Sequence, residues 1–514
     1  MKRSPVARCR ALPAALLVAG LAWHPAMAQD CAALAGLALP ETRIVSATLV
    51  PSGPFTTEEL EPTFAPNIRA RDLPAHCRVV GTIAPAIGFE VWLPVQGWNG
   101  RLQGIGNHRF GGAVPASDMA PELLRGYAVA GTDTGHAGEA PLPWMRNPQQ
   151  VEDYGHRAVH EMTLRARAII QTFYGRGPRY AYFNGCSTGG KQGLTQAQRY
   201  PGDYDGIVVG DPNNSQSGNR ASYVWNAQMS FARPGGALGR PQLTLLHRGA
   251  LAACDAQDGL ADGVIGDPAA CRFDPAVLAC QPGQDPAACL TPPQVEASRA
   301  LYAGPRNPRT GEVVYPGLAP GSELYWAPLS AGPRLFPTAE LFYRHMVSDD
   351  PAWDFRGFDL DRDVPRSAAV AAIIDAVDPD LRAARDRGVR ILHYHSWQSA
   401  VHAPGYSTGY YERVAAATQP GAPRAEALRR TGDFYRLFMG PGIASCGRGG
   451  DAPWQFDPIP VLEAWVERGE TPERMIAIRP EGGAARPLCP YPMVARHDGT
   501  GDPNRAESFA CAPP

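Results

Sequence analysis

Gly185-Cys186-Ser187-Thr188-Gly189 has the residue types and spacing of a nucleophile elbow. In that pattern a serine sits on a sharp turn between a strand and a helix, and flanking glycines let the two approach closely. The serine oxygen then projects from the top of a sheet. The next backbone N–H is placed to bind an oxyanion. The flanks supply the required context. Tyr180 to Asn184 is a short aromatic strand, Gln192 to Arg199 has helical spacing up to the stop at Pro201, and Gly206 to Val209 is a second strand. The alternative for the same residues is a structural glycine turn.

A second constellation lies in Cys254-Asp-Ala-Gln-Asp-Gly-Leu-Ala-Asp-Gly-Val-Ile-Gly-Asp267. Carboxylates stand at Asp255, Asp258 and Asp262, with glycines between that let a loop wrap. Calcium takes several oxygens from carboxylates and carbonyls, so the donor chemistry suits that ion. The spacing departs from an EF-hand loop, which ends on a glutamate. A solvated acidic turn is the alternative.

The elements that must position these residues follow an α/β grammar. Between residues 30 and 210, strand signals at Phe89 to Leu93 and Tyr127 to Thr132 alternate with a helix over Tyr154 to Tyr174, whose apolar residues Val159, Met162, Ile169, Ile170 and Phe173 recur near helical spacing. Such alternation predicts a parallel sheet covered on both faces. From about Asn213 to about Pro379 the periodicity weakens and Pro, Gly, Trp and Tyr accumulate. This stretch reads as a lid inserted over the active edge of the sheet. Sheet grammar returns at Gly388 to His395, followed by a helix from about Thr408 to Ala417, a strand at Phe434 to Met439 and a helix at Val461 to Arg468. The expected organisation is residues 29–212 and 380–514 as core and 213–379 as lid, with the acidic loop inside the lid.

The first residues carry Lys2, Arg3, Arg8 and Arg10, then an apolar run from Ala11 to Ala22 and an Ala26-Met27-Ala28 cleavage pattern. Residues 1–28 read as a secretory signal peptide, since the apolar run is too short to span a bilayer. The expected location is secreted or periplasmic. Losing four basic residues leaves an acidic balance in a chain whose formal net charge is already −2. That argues against nucleic acid or an anionic membrane as partner. Cys9 leaves with the leader. Cys31, Cys77, Cys186, Cys254, Cys271, Cys280, Cys289, Cys446, Cys489 and Cys511 remain, an even set that predicts disulfides in an exported chain. Spacing alone leaves the pairing open. No C-x-x-C pattern occurs, which argues against a zinc or redox site.

Taken together, Gly185-Cys-Ser-Thr-Gly-Gly190, the Asp255 to Val264 loop, Tyr410-Tyr-Glu-Arg413, Pro441-Gly442 with Cys446, and Arg486-Pro-Leu-Cys-Pro-Tyr-Pro492 resemble the tannase/feruloyl esterase family of secreted α/β-hydrolases. The resemblance covers nearly the whole chain after the leader. It implies an α/β-hydrolase core with a large inserted lid and a calcium ion (Ca2+) in that lid. Asp255, Asp258 and Asp262 would be side-chain ligands, and Leu260 and Val264 would offer carbonyls. It also implies disulfides Cys31–Cys77, Cys186–Cys446, Cys254–Cys271, Cys280–Cys289 and Cys489–Cys511. The second would tie the residue before the nucleophile to the residue after the catalytic histidine.

A serine nucleophile needs a base, itself oriented by a carboxylate, and in α/β-hydrolases the chain order is Ser, acid, His. The segment matching the family's acid is His395-Ser396-Trp397-Gln398-Ser399, which puts Ser399 at the acid position. The segment matching its base is Pro441-Gly442-Ile443-Ala444-Ser445-Cys446, which puts Ser445 at the base position. Neither serine accepts a proton near neutral pH. After Ser399 only His402 and His497 remain. His497 lies in a stretch that reads as structural. His402 is the candidate for a displaced base, with a surface histidine as the alternative. His108 is another candidate, in Gly106-Asn-His-Arg-Phe-Gly-Gly112, which resembles the family's oxyanion loop but has His108 and Arg109 where Gly-Gly is usual. His136 reads as structural. In the lid, Tyr325, Trp326 and Trp353 could line an aromatic site or pack internally.

Two functions are therefore expected from the residues. One is a carboxylic ester hydrolase acting on a small aromatic, phenolic-acid ester through Ser187. The other is a catalytically impaired relative that binds such an ester or acid.

Overall fold

A computed structural model describes Met1 and residues 30–55, 72–138 and 143–514. The expected signal peptide lies outside the described residues apart from Met1. Nine strands form one sheet: β1 Thr42–Val50, β2 His76–Ile83, β3 Ile87–Pro94, β4 Arg101–Ile105, β5 Ala128–Thr132, β6 Tyr180–Cys186, β7 Gly206–Gly210, β8 Arg390–Ser396 and β9 Tyr435–Gly440. Their spatial order is β1-β2-β3-β5-β4-β6-β7-β8-β9. The first three and β5 pair antiparallel, and β5 through β9 pair parallel in that spatial order. The expected parallel sheet is thus a mixed sheet with an antiparallel edge. Residues 84–86 join β2 to β3 as a hairpin, a connection open only to an antiparallel pair, whereas parallel pairs need longer crossovers.

The central strands are buried on both faces, so their residues are mostly apolar, with Gln103, Asn184, His393 and His395 among the buried polar exceptions. Alternate side chains still go to opposite layers. Ala181, Phe183, Ile207 and Val209 pack with helix α2 (Ala158–Tyr174) and helix α3 (Thr188–Arg199). Tyr182, Val208, Leu392 and Tyr394 pack with Met119, Ala120 and Leu123 of helix α1 (Ala116–Leu124) and with Leu462 and Trp465 near the C-terminus. Between β7 and β8 the described chain forms helices, loops and isolated bridges, beginning with α4 (Gln216–Met229) and α5 (Arg240–Cys254). These supply most of an apolar cluster containing Tyr223, Leu246, Leu301, Trp326 and Tyr343, which Phe110, Trp144 and Tyr154 also join. After β8 come α6 (Pro404–Thr418) and, after β9, α7 (Pro458–Arg468).

Boundaries shift for identifiable reasons. Helix α6 starts at Pro404 rather than near Thr408, because proline suits the first helical turn, where its missing N–H is no loss. The helix expected from Tyr154 begins with a π turn over Asp153–Arg157 before regular α geometry sets in at Ala158. Five disulfides form, Cys31–Cys77, Cys186–Cys446, Cys254–Cys271, Cys280–Cys289 and Cys489–Cys511. Among the described residues no helix is long and apolar enough to cross a membrane.

The parallel register brings Ile105, Cys186, Gly210, Ser396 and Gly440 to the same end of the sheet. Loops leaving the carboxyl ends of parallel strands are where α/β folds place their ligands. Contact there is between backbones. A Cβ on Gly185 would stand 2.4 Å from the Gly189 carbonyl carbon, and one on Gly106 would stand 2.5 Å from Gly189 Cα. We therefore expect Gly185→Ala to lower unfolding stability by about 1–3 kcal/mol or more, because the obstructing atoms are backbone and cannot rotate away. Equilibrium denaturation of the variant checks this.

Candidate active site

Ser187 joins β6 to α3 with φ 61° and ψ −116°, a left-handed conformation that an L-residue adopts only under constraint. The constraint is visible in its hydrogen bonds. The Ser187 N–H donates to the Gly210 carbonyl at 2.9 Å, and its own carbonyl accepts from Lys191 and Asn213 N–H, each at 3.1 Å. The turn is therefore tied to its own helix and to the loop after β7.

The loop after β4 lies against this turn. Gly106 N–H donates to the Asn184 carbonyl, and Asn107 N–H donates to Gln192 Oε1 at 2.8 Å on α3. Thr188 Oγ1 donates to the Arg109 carbonyl, and Arg109 itself has φ 48°. His108 is thus carried between two residues that both hold α3. Its Nε2–H donates to Asp118 Oδ2 at 2.6 Å. The His108 side chain is 34% exposed, while that of Asp118, on α1, is buried. With Nε2 committed to the carboxylate, the nitrogen that accepts a proton on the neutral ring is Nδ1.

The loops after β8 and β9 meet each other. Ser399 Oγ donates to Ser445 Oγ at 3.2 Å, so the two serines expected at the acid and base positions are in contact. The Cys186–Cys446 bond, between residues 260 apart in sequence, ties the second loop to the nucleophile turn. His402 is not at the surface. It is 5% exposed, because α4 covers its loop: Asn219 Nδ2 donates to the Val401 carbonyl at 2.9 Å, and Tyr223 Oη donates to the same oxygen. Burial drives its pKa well below the usual value, with the charges of His395 and Arg220 adding to the shift. Its Nδ1 has no hydrogen-bond partner among the described residues.

Sequence reasoning missed three polar residues. Asp211 follows β7 and is fully buried. Its carboxylate accepts from Ser396 N–H at 2.9 Å, Ser396 Oγ at 3.0 Å and Cys446 N–H at 2.9 Å, joining the loops after β7, β8 and β9. Burial raises its pKa despite His395, whose Nε2 stands 3.5 Å away. His395 Nε2–H donates to the His402 carbonyl at 3.0 Å, so Nδ1 accepts from Ser407 Oγ at 2.7 Å. The signal was a carboxylate at the carboxyl end of a sheet strand, in Gly210-Asp211-Pro212. Asp118 and Arg220 gave none, since each is one polar residue on a helix.

The other expected residues sort clearly. His497 is structural, its Nε2–H donating to the Gly501 carbonyl at 3.0 Å. His136 stacks on Trp144 with ring centres 4.0 Å apart, and burial lowers its pKa to about 4. Trp326 is wholly buried, its Nε1–H donating to Ser322 Oγ at 2.8 Å, and Trp353 stacks on Tyr343. In the acidic loop, Asp255 accepts from the N–H groups of Asp262, Gly263 and Val264 at 2.9 to 3.3 Å. Asp262 pairs with Arg486. Burial, with the charges of Asp262 and Asp255, pushes the Asp258 carboxyl up to about 6. The donor set is all oxygen and includes one buried carboxylate near two like charges, which fits a hard cation.

Residues 72–512 match the profile of the tannase and feruloyl esterase family. An uncharacterized esterase of Xanthomonas campestris pv. campestris is 37% identical, over 94% of this chain and 91% of the relative. A mono(2-hydroxyethyl) terephthalate hydrolase of Piscinibacter sakaiensis is 32% identical, over 87% of this chain and 86% of the relative. Among solved structures, feruloyl esterase B from Aspergillus oryzae superposes with a TM-score of 0.85 at 27% identity, covering 94% of this chain and 99% of the other.

One buried cation next to the site gives a pH test. Lys191, a turn beyond Ser187, donates to the Gly155 carbonyl and lies over the Tyr154 ring. Burial lowers its pKa from 10.5 to about 7, opposed by the charge of Asp375 and reinforced by Arg199, and it depresses His156 in turn. Between those two values the unfolded chain binds more protons than the folded one, so stability rises with pH in that window. Lys191→Met should flatten this rise and gain about 1–4 kcal/mol at pH 7. Urea unfolding from about pH 7 to about pH 10 reads both effects.

Proposed function

This chain belongs to the tannase and feruloyl esterase family and is a carboxylic ester hydrolase of that type, and we propose that it acts on small aromatic, phenolic-acid esters through Ser187. The observation that carries this reading is the positive-φ turn at Ser187, held between the loops after β4 and β7. The proposed step is attack of Ser187 Oγ on the ester carbonyl while a base takes its proton. The oxyanion would be met by the Thr188 N–H and an N–H from the loop after β4. The alcohol leaves with the proton from the base, and water then releases the acid by the same route.

His108 is the favoured base. A general base needs an orienting carboxylate, and Asp118 supplies one at 2.6 Å. His402 is buried, and its Nδ1 has no hydrogen-bond partner among the described residues. The contact between Ser399 and Ser445 favours a second reading, a protein that binds an aromatic ester or acid with little turnover. Residues 213–379 would form the lid. Asp255, Asp258 and Asp262, with the carbonyls of Leu260 and Val264, would hold Ca2+, which would brace that lid rather than enter the reaction. The ten paired cysteines and the expected leader support export to an oxidising compartment.

Hydrolysis of methyl ferulate, methyl gallate and nitrophenyl acetate separates the readings. Ser187→Ala should fall to background, and turnover surviving that change sinks the serine mechanism. His108→Ala should lower kcat by about 10²- to 10⁴-fold, with His402→Ala losing less than tenfold. Equal background rates for wild type and Ser187→Ala favour the binding reading. Ser399→Asp with Ser445→His should raise kcat by about 10²-fold or more, and no gain means those positions are misassigned. A chelator should lower the melting temperature, and an unchanged melt argues against bound calcium.

A further inference from the structure

Helix α3 grips the loop after β4 at two points, one turn apart. Gln192 Oε1 accepts the Asn107 N–H at 2.8 Å, and Gln192 Nε2 donates to Asn107 Oδ1 at 3.0 Å. Four residues earlier, and so on the same helix face, Thr188 Oγ1 donates to the Arg109 carbonyl. The Asn107 side chain gives its own amide hydrogens to two further carbonyls, Thr132 at 2.7 Å and Ala113 at 3.0 Å. Those carbonyls fix which end of the Asn107 amide is nitrogen. Oδ1 must then face Gln192, which presents Nε2 to it and Oε1 to the backbone N–H. The Asn107 and Gln192 side chains are both buried.

Two buried amides can often be exchanged for apolar side chains of the same shape at little cost in stability. What the paired hydrogen bonds add is a fixed register, and this loop needs one. Arg109, Gly111 and Gly112 all have positive φ, at 48°, 76° and 87°, so the chain doubles back just after His108, outside any strand. The Asn107 carbonyl oxygen lies 3.2 Å from where a Cβ on Gly189 would stand, two residues after Ser187. The Gly106 N–H is held by the Asn184 carbonyl and the Asn107 N–H by Gln192, so an oxyanion donor from this loop comes from beyond Asn107. A shift of Asn107 therefore moves that donor and His108 together relative to Ser187.

We propose that Gln192 is a positioning residue for ester hydrolysis at Ser187, locking Asn107 so that His108 and the oxyanion donor of the loop after β4 stand in register with the serine. It acts through Asn107 rather than on the ester. This deepens, and rests on, the assignment of hydrolysis to Ser187 with His108 as base.

Two measurements on the whole chain test it. One is hydrolysis of methyl ferulate. The other is binding of phenylboronate, whose boron accepts a serine oxygen and imitates the tetrahedral intermediate. Gln192→Met keeps the side-chain length and removes both hydrogen bonds. It should lower kcat about 10- to 100-fold, hold KM within about threefold and weaken phenylboronate by about the same factor as kcat. Gln192→Glu, when protonated, reproduces both bonds, its O–H donating to Asn107 Oδ1 and its carbonyl accepting the N–H. When ionised it sets a carboxylate oxygen against Oδ1, so its kcat relative to wild type should rise as pH falls. Wild-type kcat and phenylboronate affinity in Gln192→Met overturn the proposal whatever that variant's melting temperature, because the pair is then structural only. A kcat ratio for Gln192→Glu that is flat with pH overturns it too, and that arm stands even where Gln192→Met fails to fold. In a wild type that binds phenylboronate without turnover, the affinity of Gln192→Met decides alone. Turnover surviving Ser187→Ala, or a wild type with neither turnover nor phenylboronate binding, sinks the Ser187 reading and this proposal with it. Ser187-dependent turnover that is undiminished in Gln192→Met sinks the positioning role alone.

Discussion

Contact between bare backbones organises this protein. Gly106, Gly185 and Gly189 come so close that no Cβ fits at the first two. That contact sets how near the loop after β4 stands to α3, and it leaves Ser187 in a left-handed conformation between them. The strain at Ser187 is bearable because its N–H and carbonyl are both satisfied by neighbouring backbone, across to Gly210 and Asn213. The Cys186–Cys446 bond then adds the loop after β9 to the same assembly.

Charge is distributed around this frame in an uneven way. Two uncharged hydroxyls, Ser399 and Ser445, face each other between the loops after β8 and β9. Nearby, Asp211 is buried and accepts three hydrogen bonds, so a carboxylate holds the loops after β7, β8 and β9 together. A carboxylate–imidazole pair stands at Asp118 and His108, on the opposite flank of the turn. Burial separates the imidazoles: His395 and His402 are depressed by desolvation, whereas the His108 side chain keeps access to solvent.

The fold was largely legible in the residues because its signals are local. Tyr180 to Asn184 read as a strand, the glycines around Ser187 read as a turn, and the sheet resumed where Gly388 to His395 said it would. Strand direction was less legible. Pattern alone does not say whether neighbours run parallel, so the antiparallel β1 to β3 edge appeared only in the folded sheet. His402 was misread as plausibly exposed because its cover comes from α4, nearly two hundred residues earlier in the chain.

By itself, then, the amino-acid sequence determined the α/β class, the glycine-flanked strand-to-helix turn at Ser187, the uncharged side chains at positions 399 and 445, and, after the expected leader, an even set of cysteines. Tertiary structure decided which polar groups meet. Asp118 reaches His108, Asp211 reaches Cys446, and Arg220 is buried against Asn219. The physical reason is that a pairing between side chains depends on burial and distance. Both are set by how far-separated segments pack, and no local pattern carries either quantity.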